Sequence, residues 1–256
     1  MHKFTFYDLE TAWDLELHES YRRIDPSEKS GVRMASRRVF AAAAFDVTLG
    51  NDGAISCDRL ASWTEHTHGD EEAVVRSLFD HMRFRPDHVA CAFGSVAMDL
   101  PILTLAAMEF GLALPPQLLQ RQPNIKRAGP IRPHLDLGLC LKGTGKTWNH
   151  LSEVLLRLGL PATLMVGKKR VAFPSNVDGW LAARAHCELD TALLAVATMA
   201  WQRTQGQCNL DPKVACFVIL DWLCRNRPLT EVMQIKLARI CDDLSHQITD
   251  RMASAA

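Results

Sequence analysis

Two carboxylates stand two residues apart near the start of the chain, Asp8 and Glu10 in "KFTFYDLETAW" (3–13). Residues 3–9 read as a strand. Alternation then puts Phe4, Phe6, Asp8 and Glu10 on one face and Thr5, Tyr7 and Leu9 on the other. Like charges on one face repel unless something positive lies between them. The ordinary alternative is a strand that runs out into solvent with two surface acids. A third acid, Asp99, follows an apolar strand and a Gly-Ser turn in "AFGSVAMDLPIL". In α/β sheets that strand-to-helix junction is where functional residues are placed, although Asp is equally at home there as a helix cap. His186 and Asp190 in "AHCELDTALLAV" lie four apart on a predicted helix and share a face with Leu189, Leu193 and Leu194. Such a pair either moves a proton or simply satisfies itself in a core.

The elements that must position these residues alternate in type. "RRVFAAAAFDVTLGNDGAISCDRLASW" predicts a hairpin turning at "GNDG". "GDEEAVVRSLFDHMR" has an acidic first turn, a basic last turn and helical apolar spacing. "DHVACAF" (87–93) predicts a short buried strand, and "DLPILTLAAMEFGL" a helix opening on a capping Asp with Pro in its first turn. "RPHLDL" predicts a short strand, "WNHLSEVLLRLGLP" an amphipathic helix, and "VDGWLAARAHCELDTALLAVATMAWQRTQG" a long one. The polar stretch 14–37 reads as a loop, and 211–225 and 228–251 carry two further helical patterns. A hairpin followed by alternating strands and helices is an α/β layout with a mixed sheet. Residues 1–205 form the main domain, and 206–256 a helical extension. The extension packs its apolar stripes (Val214, Phe217, Val218 and Trp222; Val232, Ile235, Leu237 and Ile240) on the main domain or forms a homodimer through them.

Bulk properties exclude several classes. Lys+Arg and Asp+Glu both total 29, so no net basic field marks nucleic acid as the partner, though a local patch can coexist with an acidic site. The eight cysteines include no CxxC pair and sit among apolar neighbours, as free thiols do in a reducing compartment. The chain enters a strand at once, without a signal-peptide core. Runs such as "ALLAVATMAW" are too short to cross a bilayer. The expectation is a cytoplasmic protein with no membrane partner. Two motifs are decoys. "GTGKT" (143–147) lacks the first glycine of a phosphate loop, which would stand at Cys140. "HTHGDE" (66–71) resembles the HxHxDH start of metallo-β-lactamase-like hydrolases, but Glu71 stands where that pattern needs His. It remains a rival metal site.

In order along the chain, "FYDLET", "MDLPIL" and "HCELD" resemble the three motifs of the DEDD superfamily of 3′-5′ exonucleases, the DnaQ-like branch of the ribonuclease H-like fold. The similarity is greatest to the predicted exonucleases related to the proofreading domain of B-family DNA polymerases. "HLDL" (134–137) and "LSEVLLRLGLPA" (151–162) resemble the connecting segment of that group, so the likeness spans about residues 3–205. The chain departs from the pattern in three places. Gly94-Ser95 replaces Asn-Gly before the second acid, Met98 replaces the Phe before Asp99, and His186 replaces Tyr in the third motif.

The resemblance implies a ribonuclease H-like mixed sheet flanked by helices. It also implies a metal site of Asp8, Glu10, Asp99 and Asp190 for two Mg²⁺ or Mn²⁺ ions. Such hard cations take carboxylate oxygens, and a pair of them activates water and holds the leaving oxygen of a phosphodiester. His186, with an unperturbed pKa near ~6.5, would accept the proton of the attacking water. The neighbouring acids favour its protonated form, which predicts greatest activity on the alkaline side. Thr11 would contact the terminal nucleotide. The substrate implied is a single-stranded DNA or RNA 3′ end, released as nucleoside monophosphates. The alternative is a nucleic-acid-binding module with a weakened site. Trp13, Phe93, Trp148 and Trp180 could stack bases, and "NIKRAG" and "VGKKRV" could track a backbone.

Overall fold

Strand β1 (His2–Trp13) is longer than its aromatic run because β2 (Arg37–Leu49) lies antiparallel along its whole length. Their register shifts once, at a bulge between Glu10 and Thr11. The computed structural model describes residues 1–25, 33–50, 52–119, 134–144, 148–165 and 171–255. The predicted hairpin forms between β2 and β3 (Ile55–Thr64). Its turn is closed by Gly50 N–H donating to the Ala54 carbonyl at 2.8 Å, with Gly53 at φ 85° where a side chain would be strained. β4 (Val89–Ala92) and β5 (His134–Asp136) add parallel strands on the other side. The sheet order is β3-β2-β1-β4-β5, so β1 lies at its centre.

Alternation along β1 holds as predicted. Phe4 and Phe6 belong to one core, with Phe45, Val47, Leu49 and Cys91, and Tyr7 and Leu9 to the other. The second core is closed by α3 (Glu71–Arg83) and α4 (Asp99–Phe110). The first is closed by α6 (Leu151–Arg157), α7 (Val177–Thr204), α8 (Pro212–Asn226) and α9 (Glu231–Ala255). The tail helices therefore share a core with the sheet. Ala215, Ile219, Leu223, Leu237, Ile240 and Leu244 are buried in it, while Val232 and Ile235 on α9 stay 79% and 63% exposed. Arg227, after α8, fastens the tail. Its guanidinium donates to the Leu60 carbonyl and to Ser62 on β3, and to the buried Glu188 of α7.

Residues 15–24, expected to be loop, form helix α1 (Leu15–Ile24). Asp14 caps it by accepting from Leu17 N at 2.8 Å. None of its side chains is buried: Leu17, Tyr21 and Ile24 fall at helical spacing, but the charged residues between them make the stretch read as loop. "HTHGDE" is committed elsewhere. His66 lies on the short helix α2 (Glu65–His68) and stacks on Trp180. Asp70 caps α3, and the buried Glu71 accepts from Val39 N and Arg38. "NIKRAG", most of "VGKKRV" and the end of "GTGKT" lie outside the described residues. Among the described residues no helix is long and apolar enough to cross a membrane.

A second polar cluster lies within the sheet. Asp46 on β2 is 1% exposed, accepts from Thr5 at 2.8 Å, meets His81 Nε2 at 3.1 Å and pairs with Arg85. Burial alone would raise its carboxyl. The hydrogen bond and charge of His81, with Thr5 and Arg85, outweigh burial and hold it below the usual carboxylate range.

Candidate active site

β1 and β4 pair only from Phe4–Val89 to Phe6–Cys91, after which the chain leaves β4 at Ala92. Asp8 and Glu10 lie just past that separation, at the carboxyl end of the parallel strands. The strand order reverses between β1 and β4, and there an open sheet leaves a crevice. A cleft of about 620 Å³ opens at this point. Asp8, His186, Asp190 and Leu194 line one wall, the turn Phe93, Gly94, Ala97 and Met98 a second, and Trp148–Ser152 a third.

α7 brings His186 and Asp190 to β1 because its inward face is buried almost continuously from Cys187 to Ala200. Its position is pinned by Cys187 Sγ, which donates to the Asp8 carbonyl at 3.2 Å, and by the Glu188 carboxylate, which accepts from Ser62 at 2.5 Å. His186 Nδ1 lies 2.7 Å from Glu10 Oε1, an ion pair whenever the ring is protonated. Glu10 is turned toward the histidine and is absent from the cleft lining.

Asp99 was expected to cap its helix, but it is the first helical residue. Met98 occupies the cap position, and no side-chain capping bond forms. Asp99 is absent from the cleft lining, and its carboxylate reaches Asp8 through charge alone. The turn before it is organised by a residue that motif reading passed over. Asp136, at the end of β5, accepts from Gly94 N and Val96 N at 2.8 Å each and from Leu139 N at 2.9 Å, where it caps α5 (Leu137–Cys140). Gly138 completes the clamp, since a Cβ there would lie 2.6 Å from Gly94 N. The signal was present in "HLDLG", an acid at a strand end followed by glycine, but nothing local says which backbone it will grip.

The carboxylates feel one another. Asp8 is held well above the usual carboxylate range, by burial first and then by the charges of Asp190, Glu10 and Asp99. Asp99 is pushed up to about 7, by burial first and then by Asp136 and Glu10, against the pull of Arg37. The four predicted acids thus converge electrostatically. Thr11 stands apart from the cleft, its hydroxyl accepting from Arg37 Nη1 at 2.8 Å, and Arg37 lies over the Trp13 ring.

Over 88% of this chain and 29% of that one, the structure is similar to the family B DNA polymerase from the hyperthermophilic archaeon Pyrobaculum calidifontis, at 14% identity and a TM-score of 0.50. The fold is ribonuclease H-like. E. coli exonuclease I in complex with a dT13 oligonucleotide matches over 81% of this chain and 42% of its own, at 11% identity and a TM-score of 0.39. Apo exonuclease I matches over 80% and 45%, at 12% identity and a TM-score of 0.36. The chain spans less than half the length of these proteins. No family model matches the sequence, and no curated protein matches it.

For divalent cations the donor set fits in kind: hard carboxylate oxygens that repel one another until a positive charge joins them. Among the described residues, no three acid, histidine or cysteine side chains stand close enough to hold an ion as they are. An ion there would need these side chains to draw closer together than they stand.

Proposed function

We propose that this chain is a metal-dependent 3′-5′ exonuclease. It would hydrolyse phosphodiester bonds at single-stranded DNA or RNA ends and release nucleoside monophosphates. One observation carries this reading: Asp8 lies in a cleft with His186 and Asp190, its carboxyl raised first by burial and then by three other carboxylates contributed by α7, β1 and α4. Structural acids are arranged to avoid such mutual repulsion, and perturbed carboxyls in a cleft mark functional sites.

Asp8, Glu10, Asp99 and Asp190 would hold two Mg²⁺ or Mn²⁺ ions, which supply an activated water and neutralise charge on the phosphate and leaving oxygen. The protein's own part is to aim and deprotonate. Glu10 Oε1 fixes the imidazole of His186 through Nδ1, so Nε2 is the atom that would take the proton of the attacking water. Asp136 holds the Gly94–Val96 turn at the cleft wall. Residues 1–205 would carry this chemistry, with the helices of 206–256 bracing α7 through Arg227.

The test is incubation of end-labelled DNA and RNA oligonucleotides with Mg²⁺ or Mn²⁺, using the wild type and Asp8→Ala. Stepwise 3′ shortening to mononucleotides by the wild type alone is expected. No shortening of any substrate refutes the reading. Glu10's tie to His186 is the observation that favours the second reading, a weakened module that binds nucleic acid without cutting it. Gel-shift binding of an oligonucleotide that stays intact with both metals would select it.

A further inference from the structure

The carboxylates account for one wall of the cleft but not for the wall formed by Trp148 and the residues after it. Trp148 faces the cleft yet is 37% exposed, an indole held in water beside a cluster of acids. Its position is supported. Lys142 holds its ammonium 4.5 Å from the ring centroid, and Asn149 Nδ2 donates to the Leu141 carbonyl at 2.8 Å, tying the two ends of the 141–149 segment together. Trp148 thus joins the cleft lining to a cation that stands outside that lining. Phe93 and the 40% exposed Met98 line the same cleft. A flat π-surface, apolar neighbours in the same cleft and a cation beside the ring match a nucleobase and its phosphate. They match no feature of a free metal ion.

We propose that Trp148 is the stacking seat for one unpaired nucleobase of the substrate, with Lys142 beside it to meet the backbone phosphate. The proposal rests on the nuclease reading of the same cleft and names the residue that grips the strand there. An unpaired base can seat on the indole without breaking a pair, which favours single-stranded ends. The seat is tolerant of sequence, because every base offers a π-face.

Kinetics with modified oligonucleotides test it. Trp148→Ala should raise KM for a single-stranded oligonucleotide about tenfold or more, within the range measured for loss of one base–aromatic stack. Its kcat should stay within about twofold, and Trp148→Phe should recover most of the loss. An oligonucleotide with an abasic site at one of its last three 3′ positions should cost the wild type a similar factor. At that position Trp148→Ala should add little, because base and ring are two halves of one contact. Lys142→Ala should lower the salt dependence of KM by about one counterion. Equal losses for Trp148→Ala on intact and on every abasic substrate, or an unchanged KM, overturn the proposal. Binding of a fluorescein-labelled dT oligomer to Asp8→Ala protein, with and without Trp148→Ala, reads the seat independently of cleavage. If the wild type cuts nothing, the nuclease reading falls, while tryptophan-dependent binding still decides the seat.

Discussion

Removing one acid of the cluster should make the metal-free protein more stable while destroying its proposed activity. Asp99→Asn is the informative change. In the folded chain the Asp99 carboxyl is pushed up to about 7; unfolded, a carboxyl of this kind titrates near ~3.9. The folded state therefore binds more protons than the unfolded state between about pH 4 and 7. Stability falls as pH climbs through that window, and the penalty is complete above it. A shift of about three pKa units at about 1.4 kcal/mol each sets a ceiling of about 4 kcal/mol. Asp99 is only partly buried, so solvent screening reduces this to about 2 kcal/mol. For a chain of this size that is a rise of about 4–8 °C in Tm. The assay is thermal unfolding in EDTA at pH 8 and pH 4.5, for the wild type and the variant. The variant should melt higher at pH 8, with the gain largely gone at pH 4.5, where Asp99 is mostly protonated. Mn²⁺ should raise the melting point of the wild type at pH 8 and do much less for the variant. A variant that melts with or below the wild type at pH 8, or a gain unchanged at pH 4.5, would refute the idea that burial and the neighbouring carboxylates together raise the Asp99 carboxyl.

Three further outcomes follow from other parts of the molecule. Asp46→Ala leaves the buried His81 and the half-buried Arg85 without their carboxylate and should cost about 3–5 kcal/mol in urea unfolding. Because the Asp46 carboxyl is held below its usual range, the wild type should have this contribution in full above about pH 4 and lose it only under stronger acid. Gly138→Ala drives a methyl into Gly94 N and should cost about 1–3 kcal/mol by overpacking while slowing cleavage; a variant of wild-type rate and Tm would dissolve the clamp described at Asp136. His186→Ala should slow turnover by about 10²–10⁴-fold with Mn²⁺ affinity by calorimetry little changed, and a wild-type rate would remove the imidazole from proton transfer.

Much of the fold was legible because it is local. Period-two alternation in "KFTFYDLE" assigns Phe4, Phe6 and Asp8 to one face before any partner strand is known, and spacing of four puts His186 and Asp190 together on any helix. Glycines at 50 and 53 marked the hairpin turn, and the long α7 announced itself by apolar content alone. Helix α1 did not, because its short stripe of Leu17, Tyr21 and Ile24 stands in a polar stretch and packs into no core. The site's internal arrangement was not legible either. That Glu10 turns to His186, that Asp99 gives up capping, and that Asp136 grips Gly94 and Val96 all depend on which strands are neighbours and in what register. A slip of one residue between β1 and β4 would turn Asp8 to the opposite face and bring a different backbone to Asp136. The sequence by itself determined which residue types face the same way along each element. Only the tertiary structure decided which faces meet, because like charges are brought together against their own repulsion by apolar burial elsewhere in the sheet and α7.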